Sequence, residues 1–141
     1  MMRYILILIL LAVLTPSEQL VEIGRELQVR SILTGQPHPV LQTEAEAHAA
    51  YQAKIQRQGH FWWEHRYARF RPQLPDCHTF SEVVNESWPG QDQESAAKEM
   101  YRSWKLSPGH WSAVNGPCRY YGYAMCLGDN GVWYACGIFA E

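Results

Sequence analysis

The chain predicts an α+β fold, an α-β-α sandwich with a small antiparallel sheet between helices, and three observations carry the prediction. Stripes at helical spacing fill the first half: Leu20, Ile23 and Leu27, then Ala47, Ala50, Tyr51 and Ile55. A short Val-rich segment and a further stripe of Ala97, Met100, Tyr101 and Trp104 follow. The chain then closes on two β-rich runs, Tyr120 to Leu127 and Val132 to Phe139, around Gly128-Asp129-Asn130-Gly131, a strong hairpin signal. A hairpin pairs antiparallel, and the amphipathic helices are too many for one sheet face, so they cover both.

Met1 to Leu14 reads as a targeting segment. Arg3 supplies the positive end, and the apolar run Ile5 to Leu14 is too short to span a bilayer. The reading is a signal peptide over 1–17, cut after Ser17 because Pro16 blocks a cut after Thr15, and one exported domain over 18–141. An uncleaved anchor and a buried helix of the domain over Ile5 to Leu14 are the alternatives. About 120 residues then remain, enough for one core.

Pro16-Ser17 opens the first helix and Gly35 stops it. Gln36-Pro37-His38-Pro39 reads as a turn with a solvated His38. Thr43 and Glu46 make a capping box for the second helix, which runs to Gly59, with His48 as a half-buried structural histidine on its flank. His60 follows the Gly59 stop, where the carbonyl end of the helix dipole favours an imidazolium. His60-Phe61-Trp62-Trp63-Glu64-His65 has one residue too many for the inverted zincin spacing, and no His-Glu-x-x-His exists in the chain. Tyr67 to Phe70 is a short Arg-rich helix or turn, whose arginines lay their stems on apolar surface rather than bind an anion. Cys77 to Val84 is a short strand, Asn85-Glu86-Ser87 a formal glycosylation sequon, and the next helix starts near Asp92 or Ser95 and ends at Pro108-Gly109.

Four cysteines in an exported chain invite pairing. Cys118 and Cys126 lie at opposite ends of one strand, too far apart for a bridge at ~3.3 Å per residue. The preferred pattern is therefore Cys126 with Cys136 and Cys77 with Cys118. A two-residue hairpin loop would set Cys136 against Met125 and put Cys126 and Cys136 on opposite faces; a longer loop or a bulge would return them to one face. Free, buried thiols are the other reading.

Charge bounds the function. The formal net charge of −2, with no run of Lys or Arg, leaves no nucleic-acid footprint. Six Trp and eight Tyr suit either a small core built from large side chains or a lined groove.

A set of motifs carries a family resemblance. An alanine-rich helix closes on a histidine, from His48-Ala49 to Gly59-His60. A Glu-Val-Val strand at Glu82, then Tyr101-x-x-Trp104, Ser107-Pro108-Gly109-His110 and a Gly/Cys/aromatic hairpin follow. Together these resemble the CAP superfamily (cysteine-rich secretory, antigen 5 and pathogenesis-related 1 proteins), in its bacterial Ser-Pro-Gly-His form, over about Leu20 to Phe139. The resemblance implies an α-β-α sandwich and a central cavity of two histidines and two glutamates. Here those positions are His60, Glu82 and His110, with Glu86 as the alternative strand glutamate. The second glutamate is replaced by Ser107, which weakens any mechanism that needs two carboxylates.

Two imidazoles and a carboxylate could hold Zn²⁺, but hydrolysis would need all three as ligands and an open position. Without metal, Glu82 beside a histidine forms an ion pair that ties strand to helix. Three functions follow. One is a secreted binding module whose groove, lined by Trp62, Trp63, Trp88 and Trp111, takes a lipid, a peptide or an envelope component. Another is a weak metal-dependent hydrolase or protease, for which no nucleophile with an adjacent base is visible. The third is a structural secreted domain.

Overall fold

The computed structural model describes residues 13–141. The apolar run assigned to a signal peptide lies almost wholly outside the described residues. The helices are α1 (Pro16–Glu26), α2 (Arg30–Thr34), α3 (Pro39–Ile55), α4 (Trp63–Phe70), α5 (Gln93–Lys105) and α6 (Pro108–Val114). The strands are β1 (Gln36–Pro37), β2 (Phe80–Glu86), β3 (Tyr120–Leu127) and β4 (Trp133–Ala140). They form one sheet in the order β1-β3-β4-β2. The three long strands pair antiparallel as expected, but β1 joins β3 in parallel, so the small sheet is mixed. The fold class is α+β.

Alternation along the strands builds two cores. Val83, Tyr121, Tyr123, Met125, Ala135 and Phe139 point to one face, where they meet Leu20 and Ile23 of α1 and Ala97, Met100, Tyr101 and Trp104 of α5. Ala124, Cys136, Ile138 and Ala140 point to the other, against Leu41, Ala45 and Ala49 of α3 and Phe70 of α4. The helices therefore lie in two layers with the sheet between them. The small residues of α3 let it approach closely. A Cβ on Gly122 would sit 2.4 Å from the Leu41 carbonyl carbon, so α3 and β3 touch backbone to backbone there. On the other face Trp104, fully buried, donates its indole N–H to the Val84 carbonyl of β2 at 3.0 Å.

Several boundaries move, each for a local reason. Pro39 does not end a turn but occupies the first turn of α3, where its missing N–H costs nothing, and His38 caps that helix by accepting from the Val40 N–H through Nδ1 at 3.1 Å. Pro108 likewise opens α6 instead of closing α5. Gln28, at φ 56°, separates α1 from α2. The strand expected at 77–84 is shifted to Phe80–Glu86, because its partner β4 runs opposite it from Ala140 to Tyr134.

The hairpin loop also settles the cysteine geometry. Leu127 pairs with Trp133, so residues 128–132 form an odd-numbered loop that sets Cys126 opposite Tyr134 and Cys136 opposite Ala124. Cys126 and Cys136 thus share a face but stand diagonally, and all four thiols are free. Cys77 packs with Phe70 and Leu74 in one core and Cys118 packs in the other, so the sheet separates the second expected pair.

The cut expected after Ser17 would fall inside α1. It would remove the Thr15 hydroxyl that caps Glu18 N–H at 3.2 Å and the Ser17 hydroxyl that accepts from Met125 N–H at 3.3 Å. Among the described residues no helix is long and apolar enough to cross a membrane.

Candidate functional site: a buried carboxylate under a tryptophan-walled cavity

Glu82 stands on the β2 face that carries Phe80 and looks toward α3 and α4, so its side chain leaves water on folding. A carboxylate in such a place needs partners, and the sequence around it supplies them. Arg66 of α4 grips it with a two-pronged guanidinium: Nη1 donates to Oε2 at 2.7 Å and Nη2 to Oε1 at 2.9 Å. His60 donates from Nδ1 to Oε1 at 3.0 Å, and the Cys136 thiol lies 3.5 Å from Oε2. Burial pushes the Glu82 carboxyl up, but the hydrogen bonds from His60 and Arg66 and the Arg66 charge outweigh it and hold it below the usual range. Glu82 is therefore ionised at neutral pH.

The partners are positioned by the connection between α3 and α4. Gln56 ends α3 in a left-handed conformation. Gln52 then holds the turn to the sheet, donating to the Ala135 carbonyl at 3.1 Å and accepting from Gly59 N–H at 3.0 Å. His48, only 2% exposed, donates Nε2–H to the Gly59 carbonyl at 2.7 Å, and the same nitrogen lies 3.8 Å from Glu82 Oε1. Arg66 Nε donates to the Phe61 carbonyl at 3.0 Å, closing the circle. Because Glu82 accepts from Nδ1, a neutral His60 presents its basic Nε2, and its side chain is 48% exposed.

Acid is expected to loosen this cluster in two steps. Burial holds the His48 pKa below its ordinary value, so just below ~6.5 the unfolded chain binds a proton that the folded one refuses, and stability falls with pH. Glu82 adds a second loss below ~4.3, again because the unfolded carboxylate protonates first. A Tm series from pH 8 to 4 checks this: the upper step should vanish in His48→Gln, and a Tm flat between pH 7 and 5 in the parent chain would contradict it.

Above the cluster opens a cavity of about 300 Å³ lined by Glu44, His48, Tyr51, Trp62, His65, Arg66 and Arg69, with Ala47 as its one aliphatic side chain. Trp62 adopts a left-handed backbone at φ 60°, which turns its ring outward at 65% exposure, and its indole N–H reaches the Tyr51 hydroxyl at 3.3 Å. Arg69 closes on Glu44 Oε1, while Glu44 Oε2 is buried with no hydrogen-bond partner among the described residues.

The sequence-predicted residues divide between the two layers. His60 and Glu82 meet as expected. His110 sits on α6, which packs its Val114 and Trp111 into the α1/α5 core on the far side of the sheet, and Ser107 precedes it at the α6 N-terminus. The tryptophans do not share a groove. Trp62 walls the cavity, Trp63 packs against Tyr67 and Phe70, Trp111 belongs to the opposite layer, and Trp88 is exposed beside Gln91. Glu86 accepts from Gln58 at the surface. Arg66, to which the sequence assigned no role, is the main partner of the buried anion.

The zinc expectation can be tested on this geometry. Among the described residues no three His, Cys, Asp or Glu side chains converge at metal-binding distance. Both oxygens of Glu82 are held by Arg66, a cation that a metal would have to displace, and His110 lies in the other layer. The thiols are held in the protonated form, since burial and then Glu82 push Cys136 well above its ordinary pKa and burial raises Cys77, Cys118 and Cys126. These residues do not fit a three-ligand zinc centre.

No protein-family model and no curated protein matches the chain. Its fold is similar to that of a solved outer surface protein from Borrelia burgdorferi. The TM-score is 0.62 over 87% of this chain and 86% of that one, at 12% identity.

His48 and Arg66 were the functional residues that sequence reasoning missed, and both had a signal. Glu44, His48 and Gln52 recur every four residues on α3, beside the apolar line of Leu41, Ala45 and Ala49, so a polar stripe faces the same layer as the core. Arg66 follows Trp63 by three residues and precedes Phe70 by four, which places it on the buried face of α4.

Proposed function

We propose that the chain is an exported, CAP-like binding module that takes a small ligand in the cavity over the Glu82 cluster. The observation that carries this is the exposed Trp62 ring beside an open cavity that is also lined by His48 and by Arg66, the partner of Glu82. A scaffold alone would need the ion pair but not a large aromatic side chain held outward by a left-handed backbone. The His60–Glu82 pair and the order of the elements support the CAP resemblance, whereas the position of His110 departs from it. Export is supported by the apolar run ahead of α1 and by the surface protein that shares the fold.

The cavity lies at the small end of the range for ligand sites, roughly 300–1,000 Å³, and its lining is mixed, aromatic rings and Ala47 beside charged and imidazole groups. This favours a small polar or aromatic molecule over an acyl chain. The test is a titration of the full-length, ¹⁵N-labelled chain with benzoate, indole, inorganic phosphate and simple sugars, read at the Trp62 indole N–H. At least one probe is expected to shift that signal in a saturable way while leaving the Trp111 signal unmoved. A panel that moves neither Trp62 nor the amides of 44–69 would sink the reading.

A further inference from the structure

The cavity has a chemistry more specific than its size. Its charges cancel: Arg66 is neutralised by Glu82 beneath it, and Arg69 by Glu44. A fully charged ligand would therefore find no net field to neutralise it. Glu44 is 8% exposed, yet its Oε2 has no hydrogen-bond partner among the described residues. A buried carboxylate oxygen in that state costs free energy until a donor reaches it. Arg69, whose side chain is 64% exposed, covers Glu44 from the solvent side, so its displacement would uncover the carboxylate. The same cavity is lined by Trp62, 65% exposed, with the Tyr51 hydroxyl on its indole N–H.

The site thus combines an apolar aromatic plate, planar polar groups able to bond two neighbouring atoms each, and an acceptor that lacks a donor. A neutral, donor-rich ring with one apolar C–H face matches all three. Resting on the binding-module reading above, we propose that the cavity binds a saccharide ring: its C–H face lies on Trp62, one hydroxyl donates to Glu44 Oε2 as Arg69 swings aside, and ring or hydroxyl oxygens accept from His65. A lipid would give Glu44 Oε2 no donor, and a phosphate would bring its charge next to Glu44.

The experiment uses the full-length chain and four probes, glucose, galactose, mannose and N-acetylglucosamine, read by tryptophan fluorescence and the Trp62 indole N–H signal. At least one sugar is expected to saturate the signal at millimolar concentration or below. Its affinity should fall about tenfold, the loss of one good hydrogen bond or stacking contact, in Trp62→Ala and again in Glu44→Gln. The second variant keeps the volume and replaces an acceptor by a donor. Its only other loss is the ion pair to the largely exposed Arg69, so it should fold, which the circular dichroism spectrum checks. Sugar binding that survives both variants unchanged would place the sugar elsewhere and overturn the proposal. If benzoate, indole or phosphate moves Trp62 while no sugar does, the saccharide assignment falls and the binding module stands. If nothing moves Trp62, both fall together.

Discussion

Arg66→Ala should be among the most damaging single substitutions in this chain, with an expected loss of about 3–5 kcal/mol and a fall in Tm of roughly 10–20 °C. The reason is the state in which it leaves Glu82. Two of the carboxylate's close donors disappear, His60 is half in water, and the Cys136 thiol is a weak donor, so a nearly buried anion loses its main counter-charge. The Phe61 carbonyl loses its Nε donor, and the turn that carries His60 and Trp62 loses its anchor on α4. Denaturant melts of Arg66→Ala and of the double variant Arg66→Met/Glu82→Leu separate charge from packing. Removing both charges together should recover most of the loss, because two desolvated ions are replaced by apolar volume. A single variant within about 1 kcal/mol of the parent would show that the ion pair does not anchor the turn. A stable double variant that no longer binds any probe would mean that the pair is kept for the cavity rather than for the fold.

The same pair shows what could be read from the sequence and what could not. Period-two and period-3.6 patterns gave the layers, because burial of one face decides them locally: Tyr121, Tyr123 and Met125 alternate with Gly122 and Ala124 whatever they pack on. His60 and Glu82 were legible as a pair through the family-like order of motifs. His110 was not correctly placed, since Ser107-Pro108 reads equally as the end of α5 or the start of α6, and starting a helix carries His110 to the far layer. Arg66 was missed because an arginine on an apolar stripe can either extend its stem to water or stay and neutralise an anion, and that choice depends on a carboxylate sixteen positions away. The cysteine pairing turned on loop parity, which Gly128-Asp129-Asn130-Gly131 leaves open until Leu127 is seen to pair with Trp133.

Trp104→Ala should cost a similar amount, about 3–5 kcal/mol, for a different physical reason. Trp104 is among the largest fully buried side chains, and it stacks edge-on against Tyr101 and tilted against Tyr123, so truncation opens a void in the middle of the α1/α5 core. Trp104→Phe keeps most of the packing but deprives the Val84 carbonyl of its indole donor, and should cost about 1–3 kcal/mol. That bond has a consequence across the sheet. Val84 is two residues from Glu82 on the same strand, so Trp104 fixes from one face the strand that presents the carboxylate to the other. The Phe variant should therefore broaden or shift the His60 and Trp62 signals as well as lower the Tm. If the Tm falls while those signals stay where they are, β2 is held by its pairing to β4 alone, and the two layers act independently.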